Sequence, residues 1–286
     1  MRILACLLLA LLGSCASRDA GWDTVSEPVI LSESETKLVE TEALSYWSRR
    51  DQQDELESAL TRFEMVHSSK PTDYKTLIYL ARGYHLLADG HYDNDALKMR
   101  AFERSTIFGE KAIALNIGFA KKISQGKSPE ESLDVMTVNE VSAMYWTAAS
   151  LERWSEYSGS TTIYKHKNYL NALMKRVEKL NPNYYYGAVP RYWGSFLAVA
   201  TYMSGGNLEE SKKQFNKSLK MAPEYLGTHL LMAERYWARS KNKEEFKKSL
   251  RAILDSSYDT HANLAIENGL EKKKAEKLLA KMGELF

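Results

Sequence analysis

A chain of 286 residues with 44% hydrophobic and 27% charged positions carries enough apolar sequence for a packed core, which excludes wholesale disorder. Its 39 basic and 37 acidic residues nearly cancel, so no global field gathers nucleic acid and none is expected as a partner. The local imbalances, acidic from Glu27 to Glu57 and basic from Lys272 to Lys281, read as solvated helix faces.

The N-terminus reads MRILACLLLALLGSCAS, with one positive charge at Arg2, an apolar run from Ile3 to Leu12 and small residues before Cys15. That is the layout of a secretory signal, and the run falls short of the roughly 20 apolar residues that a permanent membrane helix needs. Leu12-Gly13-Ser14-Cys15 resembles a bacterial lipobox, which implies that Cys15 carries lipid and becomes the first mature residue. Cys6 then leaves with the signal, so no thiol remains for a disulfide, a metal or catalysis. Ala16 after the lipidated cysteine, in place of Asp, fits outer-membrane sorting. The expected organisation is a signal over residues 1–14, a lipidated tether over 15–34 and a single helical domain over 35–286.

Beyond the tether the periodicity is helical. Pro71, Pro182 and Pro223 each follow an amphipathic stretch and mark helix ends, because proline cannot continue a helix. They share a frame: twelve residues back stand Ala59, Leu170 and Ser211; eight back, Phe63, Met174 and Phe215; five back, Val66, Val177 and Ser218. This resembles the second helix of the tetratricopeptide repeat. First helices follow in Asp73 to Gly90, with Leu80, Ala81 and Tyr84 at the repeat's positions, and after Tyr225, with Met232, Ala233 and Tyr236. The expected fold is all-α: a right-handed, degenerate tetratricopeptide-like superhelix of about four or five helix pairs plus a C-terminal helix. Insertions fall at Gly90 to Arg100 and Ile117 to Thr137.

Chemistry-bearing patterns are few. His67, His85, His91, His166, His229 and His261 include no i,i+4 pair for a metal, and SGGNLEES lacks the lysine of a phosphate loop. It reads instead as a turn, with Asn207 as N-cap and Glu210 closing a capping box. No nucleophile elbow occurs, so no enzyme, cofactor or metal is expected.

The aromatics call for a functional account. VSAMYWTAASLERWSEY carries Met144, Trp146, Trp154 and Tyr157 on a helix whose neighbouring rows hold Val141, Tyr145, Ala148 and Glu152. Such a helix must be covered on several sides. In LNPNYYYGAVPRYWGSF, Pro190 suits a first helical turn and Gly194 a close helix approach. Tyr145, Trp146, Arg191, Tyr192 and Trp193 lie on first helices, and we expect them to line a groove in which Arg191 offers a planar cation to a carboxylate of a ligand or partner. In that reading Arg191→Ala weakens binding with little change in melting temperature.

The lipobox, the cryptic repeats, MYWTAASLERW, PRYWGSFLAVA, the segment opening GGNLEES and the C-terminal LLAKMGELF together resemble the T component (TatT) of tripartite ATP-independent periplasmic (TRAP) transport systems, over about Leu38 to Phe286. The resemblance implies a periplasmic lipoprotein that forms a homotrimer with a central pore. It also implies binding to the solute-binding subunit, whose ligand is apolar or an organic acid. The alternative is a general tetratricopeptide scaffold that binds peptides or proteins in envelope assembly.

Overall fold

The computed structural model describes residues 18–24, 31–201, 205–257 and 264–286. Cys15 and the signal lie outside the described residues. Within them every regular element is a helix. Five helix pairs follow one another along the chain: α1 (Glu33–Trp47) with α2 (Gln53–Ser69), α3 (Tyr74–Leu86) with α4 (Asp95–Ala114), and then, after α5 (Ile117–Ser124) and α6 (Pro129–Ser132), α7 (Val141–Tyr157) with α8 (Ser160–Leu180). The last two are α9 (Tyr184–Val199) with α10 (Leu208–Met221) and α11 (Leu226–Leu231) with α12 (Lys243–Asp255). A π-type turn extends α3 over Leu87–His91 and α11 over Met232–Trp237. The chain closes with α13 (Ala265–Ala280) and the single turn α14 (Met282–Leu285).

Short polar residues start these helices because their side chains satisfy the free N–H groups of the first turn. Asp73 accepts from Thr76 N–H at 3.0 Å, Asn94 from Leu97 N–H at 3.1 Å and Asn242 from Glu245 N–H at 3.1 Å. Asn207 likewise caps α10 at Glu210 N–H, at 3.0 Å. The Glu210 carboxylate does not close the box, but accepts from Gln214 on the next turn. Pro71, Pro182 and Pro223 each stand two residues beyond the end of a helix, at α2, α8 and α10.

The shared frame is the packing face of those three helices. All nine of its residues are at most 1% exposed. In α10 two frame positions are serines, and each donates across the pair: Ser211 to the Gly194 carbonyl at 2.7 Å and Ser218 to the Gly187 carbonyl at 2.9 Å. Gly194 lets the helices meet, since a Cβ there would lie 2.8 Å from the Phe215 ring.

Two regions depart from the sequence reading. Residues 18–24, assigned to a tether, lie against α4, with the turn at Gly21–Asp23 packed on it. The lysine-rich C-terminal helix is not a solvated face throughout. Lys274 pairs with Asp89 at 2.5 Å and Lys277 with Asp93 at 2.8 Å, while Glu267 receives Arg50 at 2.9 Å and Arg82 at 2.5 Å. These pairs fasten α13, which also packs on α11 and α12, to the first two helix pairs.

Candidate functional site

The tyrosine run ahead of α9 sets the site. Tyr185, Tyr186 and Gly187 have φ of 42°, 55° and 71°, so the first turn of α9 is left-handed. Glycine enters that region freely, whereas each tyrosine pays about 1 to 2 kcal/mol there. The turn aims two carbonyls inward: Arg191 donates to Tyr186 O at 2.8 Å and to Tyr185 O at 3.2 Å. Right-handed helix resumes with Ala188, and Pro190 stands in its first turn.

Gly187 also fits where a side chain could not, because a Cβ would lie 2.8 Å from Ser218 Oγ and 3.1 Å from Ser218 O. Gly187→Ala is therefore expected to destabilise the fold by about 1 to 3 kcal/mol in urea titration, with no change in m-value.

Arg191 is 5% exposed and sits among aromatic rings. Its guanidinium lies 4.5 Å from the Tyr225 ring centroid and donates to the Tyr145 hydroxyl at 3.4 Å and Thr228 Oγ1 at 3.3 Å. No described carboxylate pairs with it. A cation–π contact in a desolvated site is worth about 2 kcal/mol, and the carbonyl bonds add to it. Arg191 thus ties α9 to α7 and α11, and its truncation is expected to lower the melting temperature, where the sequence reading expected little change.

Around this cation lies a cavity of about 120 Å³, walled by α3, α7, α9, α11 and α13. Tyr145, Trp146, Arg191 and Tyr192 all line it; Trp193 does not, packing instead on Phe196 and against its neighbour Tyr192. Tyr185, also on the wall, meets Trp146 at 5.2 Å and Tyr225 at 5.9 Å, with the Arg82 guanidinium 5.4 Å from its centroid.

The other wall residues were not singled out from sequence. His85 donates to or accepts from Ser150 Oγ at 2.9 Å, and burial pushes its pKa down to about 4, leaving it neutral at pH 7. At one rim Arg153 pairs with Glu156 at 3.0 Å and Glu234 at 3.7 Å, and Arg235 grips Glu156 at 2.8 Å. Asp89 is half-buried, and Lys274 and Arg153 beside it outweigh desolvation and hold its carboxyl below the usual range.

Glu152 differs from all of these. It is 4% exposed, Oε1 has no hydrogen-bond partner among the described residues, and the Tyr192 hydroxyl on the same wall also lacks one. Burial, reinforced by the Glu156 charge, raises the Glu152 pKa well above the ordinary carboxyl value, although Arg153 opposes the shift. The folded protein therefore keeps a proton that the unfolded chain releases near pH 4.3, and stability falls as pH rises above that value. Glu152→Gln, a permanent mimic of the protonated acid, is expected to lessen this decline in urea midpoints taken from about pH 5 to pH 8. Equal slopes in both proteins would show Glu152 ionised in the fold. Glu152 was visible in sequence as an acid in the apolar row of Tyr145, one helical face shared at i,i+7.

The architecture is that of an all-helical protein built around a cavity that combines aromatic walls with charged groups of both signs. No described helix is long and apolar enough to cross a membrane. The family model described as TRAP transporter T-component matches residues 53–286, and the chain belongs to that family, an accessory component of TRAP transport in the cell envelope. No curated protein matches the chain.

Proposed function

We propose that the protein is a non-enzymatic lipoprotein, anchored through Cys15 on the periplasmic side of the outer membrane, that docks the solute-binding subunit of a TRAP system and receives its ligand. In this reading the helix pairs form a tetratricopeptide-like superhelix, three copies assemble around a pore, and the cavity is the ligand's station within each copy. The observation that carries it is Arg191: a buried cation that makes no ion pair with a carboxylate among the described residues, held by neutral carbonyls, hydroxyls and rings. Such a group favours a carboxylate from outside, and the Tyr185, Trp146 and Tyr225 rings suit an apolar body attached to it. Glu152 supports the same ligand, because burial favours its neutral form and so weakens the negative charge it sets against a bound carboxylate.

Simple probes test the cavity reading. Benzoate is expected to quench tryptophan fluorescence saturably and to raise the melting temperature, since a ligand that binds only the folded state stabilises it. Benzyl alcohol, of similar shape and uncharged, is expected to do neither. Equal responses to both, or none to benzoate, would remove the carboxylate from the proposal.

A further inference from the structure

The region matched by the family model begins at residue 53, and the docked segment 18–24 lies well ahead of it. Glu110, 1% exposed, anchors this segment. Its carboxylate accepts from both terminal nitrogens of Arg18, at 2.5 and 3.2 Å, and from Gly21 N–H at 2.6 Å. Gly21 presses on α4, where a Cβ would come within 2.3 Å of the Ile107 carbonyl. Trp22 meets Phe119 of α5 at 5.4 Å and Tyr169 of α8 at 6.4 Å, and Lys111 fastens the far end by donating to Thr24 O at 2.9 Å.

The Arg18 side chain is 5% exposed, so the pair with Glu110 is out of water, and releasing Arg18 would strand the Glu110 charge in the interior. In sequence only Ala16 and Ser17 separate Cys15 from Arg18, and three Cα steps of about 3.8 Å span at most about 11 Å. The Arg18 guanidinium lies 6.0 Å from the Trp154 ring, whose edge meets His166 at 5.9 Å, which puts this end of the segment beside the first turns of α8.

We propose that residues 18–24 are a strap that orients the protein on its membrane, setting the α5 and α8 side against the lipid headgroups and leaving the cavity on the other helices free for a soluble partner. The proposal rests on lipidation of Cys15. The surface beside the strap has the chemistry of a headgroup contact. Ile117, two residues from Phe119, is 84% exposed, and Tyr164 is 71% exposed at the start of α8. Lys121 of α5 and Lys165 of α8 are exposed as well, and Lys165 shares a helix face with Tyr169, the ring that meets Trp22. Apolar and tyrosine side chains enter the interface while lysines meet anionic phosphates. The cavity is walled instead by α3, α7, α9, α11 and α13.

The test uses full-length lipidated protein on vesicles of phosphatidylcholine and phosphatidylglycerol, with a dye on Lys165→Cys or, as the remote control, on Leu38→Cys of α1. A nitroxide on the lipid headgroup is expected to quench the dye at position 165 and not at 38. A flexible Gly-Ser insertion of about ten residues between Ser17 and Arg18, adding roughly 17 Å of mean reach, leaves the body intact and is expected to abolish the quenching while the protein still floats with the vesicles. Glu110→Gln is expected to act in the same direction from within the fold. Flotation with equal quenching at 38 and 165, or quenching that survives the insertion, overturns the strap alone. A protein without acyl mass that fails to float overturns the lipid anchor and the strap with it.

Discussion

Arg191→Met is expected to lower the unfolding free energy by about 2 to 4 kcal/mol and to abolish benzoate binding, the first from lost hydrogen bonds and cation–π contact. The size follows from what the guanidinium holds together. Two carbonyls of a left-handed turn, a tyrosine hydroxyl on α7 and a threonine on α11 all accept from it. Methionine fills much of the volume and satisfies none of them. Arg191→Lys separates charge from geometry, because an ammonium keeps the cation but cannot span the same acceptors as a planar fork. It should therefore lose less stability than methionine and retain weakened benzoate binding. Unchanged melting in the methionine variant would return Arg191 to the purely binding role read from sequence.

The second large effect is expected at Glu267. It is 4% exposed and accepts from Arg50 and Arg82 together, so Glu267→Ala leaves two arginines facing each other without an anion. Breaking a buried ion pair by removing one partner costs about 3 to 5 kcal/mol. Part of that loss is expected locally, as faster amide exchange along α13, because Glu267 is one of the ties that hold this helix over the cavity. Glu267→Gln keeps an acceptor and should fall between the two. A loss under about 1 kcal/mol, typical of an exposed pair, would show that α13 is held by its apolar contacts instead.

Helix ends were legible because proline and short polar caps act locally: Pro71, Pro182 and Pro223 close α2, α8 and α10, and Asn207 opens α10. The burial of Ala59, Phe63 and Val66 and their counterparts was legible for the same reason, since helical spacing puts them on one face. The cavity was half legible. Tyr145, Trp146, Arg191 and Tyr192 stood out by residue type on first helices, and they meet. Trp193 was grouped with them by adjacency in sequence, yet one residue along a helix turns a side chain by about 100°, which carries it off the wall.

What sequence could not reveal depends on long-range geometry. Nothing local marks Tyr185 and Tyr186 as left-handed, since tyrosine resists that region and only the surrounding contacts hold it there. Arg18 with Glu110 and Lys274 with Asp89 are separated by 92 and 185 residues, so charges that read as solvated or as tether become buried or half-buried fastenings only in the fold.

The measurement closest to the central claim is a crosslinked pull-down of the native protein from cell envelopes, with its partners identified by mass spectrometry. The account predicts recovery of a periplasmic solute-binding protein together with its TRAP permease. Recovery of cell-wall or envelope-assembly proteins in their place would contradict it and make the protein a general scaffold.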